Sequence, residues 1–228
     1  MAGDWTMEGI GLTVDVLFDL AHFRVHTTMK GRSSYLLPLP TTIIGFFFSI
    51  LGKSREHYIE ERKNFKAGAR IIDIGGVCRE NAQLLKLKTG REDRTTEELM
   101  LLLRPKYKFA IWGERETIYL LHKKLNNFEF NFVPYAGISD FIFFDIKNLR
   151  IHKYFEETYT LKNSYAPRNI VDSVELSEKS ILYNLPYTYS GKPEFVVMGV
   201  NVSFKLKNKI MSIEGVPLYD YFLTTDET

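Results

Sequence analysis

The run Ile43–Leu51 (IIGFFFSIL) limits what this chain can fold into more than any other segment. It is apolar on every side, is preceded by Pro38-Leu39-Pro40 and is followed by Gly52. Pro38 and Pro40 bar a helix before Thr41. Thr41 or Thr42 can then serve as the N-cap, and Gly52 suits the left-handed residue that closes a helix. A short helix with no polar side has to be packed against a sheet rather than laid on a surface. It falls far short of the roughly 20 residues that span a bilayer, so no membrane partner is expected.

This helix is the apolar half of a longer window, Leu20–Arg55, that contains no Asp or Glu. The chain as a whole has 28 acids against 30 Lys and Arg in 228 residues, so the acids have been kept out locally. The first half of the window is polar and cationic, with His22, Arg24, His26, Lys30 and Arg32, and Tyr35 near its end. Gly31 and Ser33-Ser34 mark it as loop. A flexible basic arm beside a buried helix suits the gripping of an anion. The net charge of +2 does not by itself mark a nucleic-acid binder, so charge segregation must carry any such function.

Along the rest of the chain, Ile10–Leu20 alternates as a strand, with Val14, Val16 and Phe18 on one face. Ser54–Phe65 is charged and reads as an exposed helical piece, and Ala69–Val77 as a buried strand that loosens at Gly75-Gly76. Eight bases and five acids fall between Arg79 and Lys108. The segment 79–104 is read as a protruding hairpin, with a helical turn over Glu97–Leu103 as the alternative. Tyr107–Trp112 is a strand, Glu114–Leu125 a helix by the spacing of Ile118, Leu121 and Leu125, and Phe128–Ile146 a strand region interrupted at Pro134–Gly137. The aromatic runs Phe46–Phe48 and Phe141–Phe144 are expected in the core. Strand, helix, strand, excursion, strand, helix, strand is the βαββαβ order of a ferredoxin-like or RRM-like sheet. The fold class expected is therefore α+β, with this domain over 1–149. A smaller β-rich subdomain over 150–228 follows, with strand-like pieces at Ile151–Thr158, Glu194–Lys205 and Ile210–Ile213.

Most chemistries lack their residues. A single cysteine, Cys78, allows no internal disulfide and no Cys-rich zinc site. His22 and His26 are spaced as a metal pair, but in a loop with no nearby carboxylate, so no metal is expected. There is no phosphate-loop, dinucleotide or nucleophile-elbow motif, and no cofactor is expected. The N-terminus carries Asp4 and Glu8 and no base, the wrong charge for a secretory signal; Met7 is an alternative start, and a reducing cytoplasm is the expected compartment. A metal-independent ribonuclease needs only a base, an acid and a cation, which His22, His26, Tyr35 and Lys30 can supply in principle. The milder reading, that these side chains bond phosphates and stack on bases, is preferred. The RRM base-stacking motif is missing, so RNA is expected on the basic arm and the excursion rather than on the sheet.

The segments AHFR (Ala21–Arg24), YLLPLPT (Tyr35–Thr41) and the apolar helix ending ILG at Gly52, with a second patch YAGISDFIFFD (Tyr135–Asp145), are similar to the signature of one CRISPR-associated family. It is the fifth-family RAMP subunit of the type I Cascade complex. The resemblance implies an RRM-like domain with a thumb hairpin at 79–104. It also implies a ribonucleoprotein role in antiviral defence, in which the chain caps the 5′ handle of the CRISPR RNA. The chain would then contact the backbone and large subunits of the complex, and reach target DNA only through it. On this reading Arg24, Lys30 and Arg32 bond the handle's phosphates while His22, His26 and Tyr35 stack or hydrogen-bond. The thumb contributes Arg79, Lys86, Lys88, Arg91 and Arg94 to RNA or subunit contacts. Some members cut repeat RNA, and the resemblance places Tyr35 where those members carry a catalytic tyrosine. They also use a Lys-His pair, whereas here His122-Lys123 and His152-Lys153 run the other way. That departure favours a non-catalytic subunit.

Overall fold

The computed structural model describes residues 9–25, 31–88, 91–189 and 192–220; the charge and start-site readings of the N-terminus lie outside them. In chain order the elements are β1 (Ile10–Phe18), β2 (Leu20–Ala21), β3 (Phe23–Arg24), β4 (Ser34–Tyr35), α1 (Pro40–Leu51), α2 (Arg55–Glu61), β5 (Lys66–Asp73), β6 (Gly76–Lys88), β7 (Arg91–Leu103), β8 (Lys106–Gly113) and α3 (Arg115–Asn127). They continue with β9 (Phe143–His152), β10 (Glu156–Lys162), β11 (Tyr165–Pro167), β12 (Val171–Tyr189), β13 (Lys192–Ile213) and β14 (Val216–Pro217). The chain is mixed α+β, mostly strand. Among the described residues no helix is long and apolar enough to cross a membrane.

One sheet has the strand order β5-β8-β1-β9 with every neighbouring pair antiparallel. Alternation along its strands makes two faces. Leu12, Val14 and Val16 of β1 stand opposite Ile111, Phe109 and Tyr107 of β8, and this face takes α1 and α3. Phe46 meets Phe109 edge-on at 5.3 Å, and Phe48 meets Phe65 at 5.2 Å. The triple phenylalanine is therefore buried, as its all-apolar run requires. Ile118, Leu121 and Leu125 bury the inner stripe of α3.

The other face is mixed, an ion-pair network beside a second apolar cluster of Ala110, Ile213, Val216 and Leu218. Asp15, Lys108 and Gly68 point there, and the turn from β13 to β14 closes over it. Lys108 Nζ lies 2.9 Å from Asp15 Oδ1, an ion-pair contact without a hydrogen bond, and 2.8 Å from Glu214 Oε2. Asn148 donates to Asp15 Oδ2 at 2.6 Å, and Arg150 to Glu214 Oε1 at 3.0 Å. Burial works against the Glu214 charge, but the bonds to Lys108 and Arg150 outweigh it and hold the carboxyl below its usual range. A Cβ on Gly68 would stand 1.7 Å from the Pro217 carbonyl oxygen, so the strap fits only over a glycine.

β6 and β7 pair residue for residue from Gly76↔Leu103 to Lys88↔Arg91, an antiparallel hairpin inserted between β5 and β8. A second sheet runs β10-β13-β11, with β12 and β14 also on β13. Its apolar side is continuous with the helical core: Tyr165, Met198 and Phe204 join the same cluster as Val14 and Phe47.

Three expectations change, and one alternative is set aside. α1 begins at Pro40 itself, with Leu39 as N-cap and no side-chain cap; proline is at home in the first turn, where its missing N–H has no partner to lose. Residues 128–142 are not strand, because the N–H groups of Asn131 and Phe132 bond to Ile50 O and Ser49 O at the end of α1. Phe144 is 70% exposed on the edge strand β9 and is no part of the core. Glu97–Leu103 is strand and not a helical turn.

Candidate nucleic-acid interface

The basic arm is strapped down at both ends. Leu20 and Ala21 pair with Leu103 and Leu102 at the base of the hairpin. β3 pairs with β4, Phe23 opposite Tyr35 and Arg24 opposite Ser34. On the return, the Arg32 N–H donates to Glu98 O at 2.6 Å and the Met100 N–H to Arg32 O at 3.0 Å. The arm and the hairpin, separate in sequence, form one unit here. The flexible-loop expectation is corrected for the described part of the arm.

That strapping sorts the expected site residues. His22 is 3% exposed, and its Nδ1–H donates to Met100 O at 2.8 Å. Tyr35 is 3% exposed, and its hydroxyl donates to Pro186 O at 2.7 Å. Neither ring offers a face on which a base could stack, which corrects the direct role expected of both. Arg32 Nε donates to Glu97 Oε2 at 2.7 Å, and Arg79 to Glu98 Oε1 at 2.7 Å. Both guanidiniums therefore share their charge with hairpin carboxylates. Arg24 and Arg94 are exposed. His26 and Lys30 lie outside the described residues, as do the side chains of Lys86, Lys88 and Arg91. Among the described residues no three His, Cys, Asp or Glu side chains gather into a possible metal site.

Burial holds the His22 pKa below its usual value, and the nearby Arg32 and Arg24 add to this against the Met100 carbonyl. The folded chain then binds fewer protons than the unfolded one in mild acid. The stability that comes from the neutral ring is complete above the unfolded value of about 6.5 and is lost as pH falls below it. His152, also lowered by burial first, acts in the same direction. In His22→Asn the amide replaces the Nδ1–H donor and does not titrate. Melting temperatures taken from about pH 7 down to about 5.5 should fall less steeply in this variant than in the parent. Equal slopes would mean that His22 is not held neutral.

Beyond the arm lies an open groove of about 830 Å³. Its floor is the outer side of α1, at Thr41, Thr42 and Gly45, and its far wall is the loop after α3, at Phe132, Tyr135 and Ile142. The loop is held at its other end as well, where the His22 N–H donates to Ala136 O at 3.0 Å. Gly137, at φ 83, lies so close that a Cβ would stand 1.9 Å from His22 O. The sequence reading missed this wall because it took the phenylalanines of 128–146 for strand. Four turn-like residues at Pro134–Gly137 were the available signal.

Residues 11–130, more than half of the chain, match the model of the family described as CRISPR-associated protein (Cas_Cas5). The chain belongs to the CRISPR-associated Cas5 family. The family match spans β1, the arm, α1, the hairpin and α3, so the strapped arm lies inside it. A chain of a solved structure described as "CRISPR RNA-guided surveillance complex" is similar at TM-score 0.50 and 14% identity, over 86% of this chain and 90% of that one. A CRISPR protein from Archaeoglobus fulgidus is similar at TM-score 0.54 and 14% identity, over 92% and 98%. At such identities the likeness is one of fold. No curated protein matches the chain.

Proposed function

We propose that this Cas5-family chain is a non-catalytic RNA-binding subunit of a type I Cascade interference complex in the cytoplasm. On this reading it caps the 5′ handle of the CRISPR RNA. It contacts the backbone subunit, partly through the β6–β7 hairpin read as the thumb, and also the large subunit. The strand order β5-β8-β1-β9, with α1 and α3 as crossovers, supports the ferredoxin-like reading of the first sheet. The observation that carries the proposal is the arm strapped to the base of the hairpin, within the family match, leaving Arg24 exposed beside it. The similarity to a chain of a CRISPR RNA-guided surveillance complex supports a ribonucleoprotein partner.

Tyr35 weighs against catalysis. Burial pushes its phenol up to about 12, and its proton is engaged with Pro186 O. A group so placed is poorly matched to proton transfer near neutral pH.

Arg24→Ala combined with Arg94→Ala should weaken binding of the cognate CRISPR repeat RNA several-fold. The slope of log K against log salt should become shallower by roughly 0.7 for each phosphate that is no longer neutralised. An unchanged slope would remove the arm and hairpin as the grip. Site-specific cutting of that RNA by the purified chain in EDTA would overturn the non-catalytic reading.

A further inference from the structure

The groove between α1 and the loop after α3 belongs to no role assigned so far, and it is built in an unusual way. Its wall exposes two aromatic rings, Phe132 at 62% and Tyr135 at 47%. Leaving such rings in water forgoes the burial that drives folding. Yet the backbone beneath them is fixed by the bonds from Asn131 and Phe132 to the end of α1, and from His22 to Ala136. The rings are held out by an anchored loop.

Charge and shape say what they are held out for. None of the residues lining the groove is acidic, and the floor and near rim, Thr41 to Arg55, come entirely from the acid-free window. Lys53 at the rim is matched by Glu61 at 2.8 Å, while Arg55 beside it is exposed. A Cβ on Gly45 would find nothing nearer than the Tyr58 ring at 4.0 Å, so the floor is open. The volume falls in the range of small-molecule sites. The groove also continues into the arm, because Gly137 on its lining packs against the backbone of His22, two residues before Arg24.

Aromatic faces, hydroxyls and an exposed guanidinium are the recognition set for an unpaired nucleotide. A protein segment would be served by the apolar wall alone, and would not call for the hydroxyl floor or the cationic rim. We infer that this groove seats an unstacked nucleotide of the bound RNA, its base against Phe132 and Tyr135 and its phosphate toward Thr41, Thr42 and Arg55. This rests on the RNA-binding reading above and gives it a second, stacking contact.

The test uses the full chain and fluorescein-labelled cognate repeat RNA. Phe132→Ala/Tyr135→Ala should lower affinity on the order of ten-fold. Its salt slope should stay that of the parent, because stacking releases no counterions. Gly45→Leu, whose Cβ meets nothing nearer than the Tyr58 ring at 4.0 Å and whose longer side chain takes up the floor, should give a similar loss. Melting temperatures close to the parent's show that both variants are folded. If the parent binds RNA and both variants bind within about two-fold of it, the groove is not an RNA seat while the RNA-binding reading stands. Loss of co-purification with another protein subunit, at unchanged RNA affinity, makes the groove a protein surface and overturns the inference. A parent that binds no RNA at any salt sinks both readings together.

Discussion

Lys108→Met is expected to lower the melting temperature by on the order of 10 °C. Lys108 is the only cation in contact with both Asp15 and Glu214 among the described residues, and its side chain is nearly buried. Methionine keeps the length and removes the charge, leaving Asp15 with Asn148 alone and Glu214 with its more exposed contacts to Arg150 and His152. Breaking a buried pair from one side typically costs about 3–5 kcal/mol. For a chain of this size each kcal/mol is worth roughly 2–4 °C. The deficit should shrink in acid. Glu214, whose carboxyl the Lys108 contact holds low, contributes stability that the parent loses as pH falls through the carboxylate range, whereas the variant has already lost it. Thermal melts of both proteins across that range check the prediction; a deficit that stays constant into acid would mean that the loss comes from packing.

Gly137→Ala is the second large effect, and it couples the fold to the groove. At φ 83 an L side chain is strained by about 1–2 kcal/mol. The new Cβ also meets the carbonyl oxygen of His22, which cannot move without disturbing the strapped arm. Gly31→Ala is the matched control. It too sits at φ 83, but its nearest neighbour would be Glu98 O at an ordinary 3.7 Å. Calorimetry should therefore show Gly137→Ala losing distinctly more stability than Gly31→Ala. Because the loop carries Tyr135 into the groove, RNA affinity should also drop in the first variant and hold in the second. Equal losses in both would mean that the loop does not press on His22.

The elements most legible in sequence were those with one strong local reason. The run Ile43–Leu51 had no polar side to expose, and it is a buried helix closed by Gly52 at φ 73. The stripe Ile118, Leu121, Leu125 fixed α3, and Ser54 caps the exposed α2 by accepting from the His57 N–H. The excursion at 79–104 is a long hairpin, as its composition suggested. Residues 128–142 were misread because an apolar run reports that a segment touches a core, not which backbone partners it takes. Much of β12 was missed because its apolar residues do not alternate with burial: Leu176 and the consecutive Ile181 and Leu182 are all exposed.

The acid-free window shows where the division falls. Composition by itself established that Leu20–Arg55 carries cations with no local counter-charge, and that its second half must be buried. Tertiary structure decided which of those cations remain available. Glu97 lies 65 residues beyond Arg32, and only the pairing of the arm with the hairpin brings them to 2.7 Å. The same strapping buries His22 and Tyr35, leaves Arg24 outside, and turns the outer side of α1 toward an open groove. Charge segregation is a property of local sequence. Its neutralisation depends on Coulomb contacts of a few ångströms between distant residues, and those are set only when the strands pair.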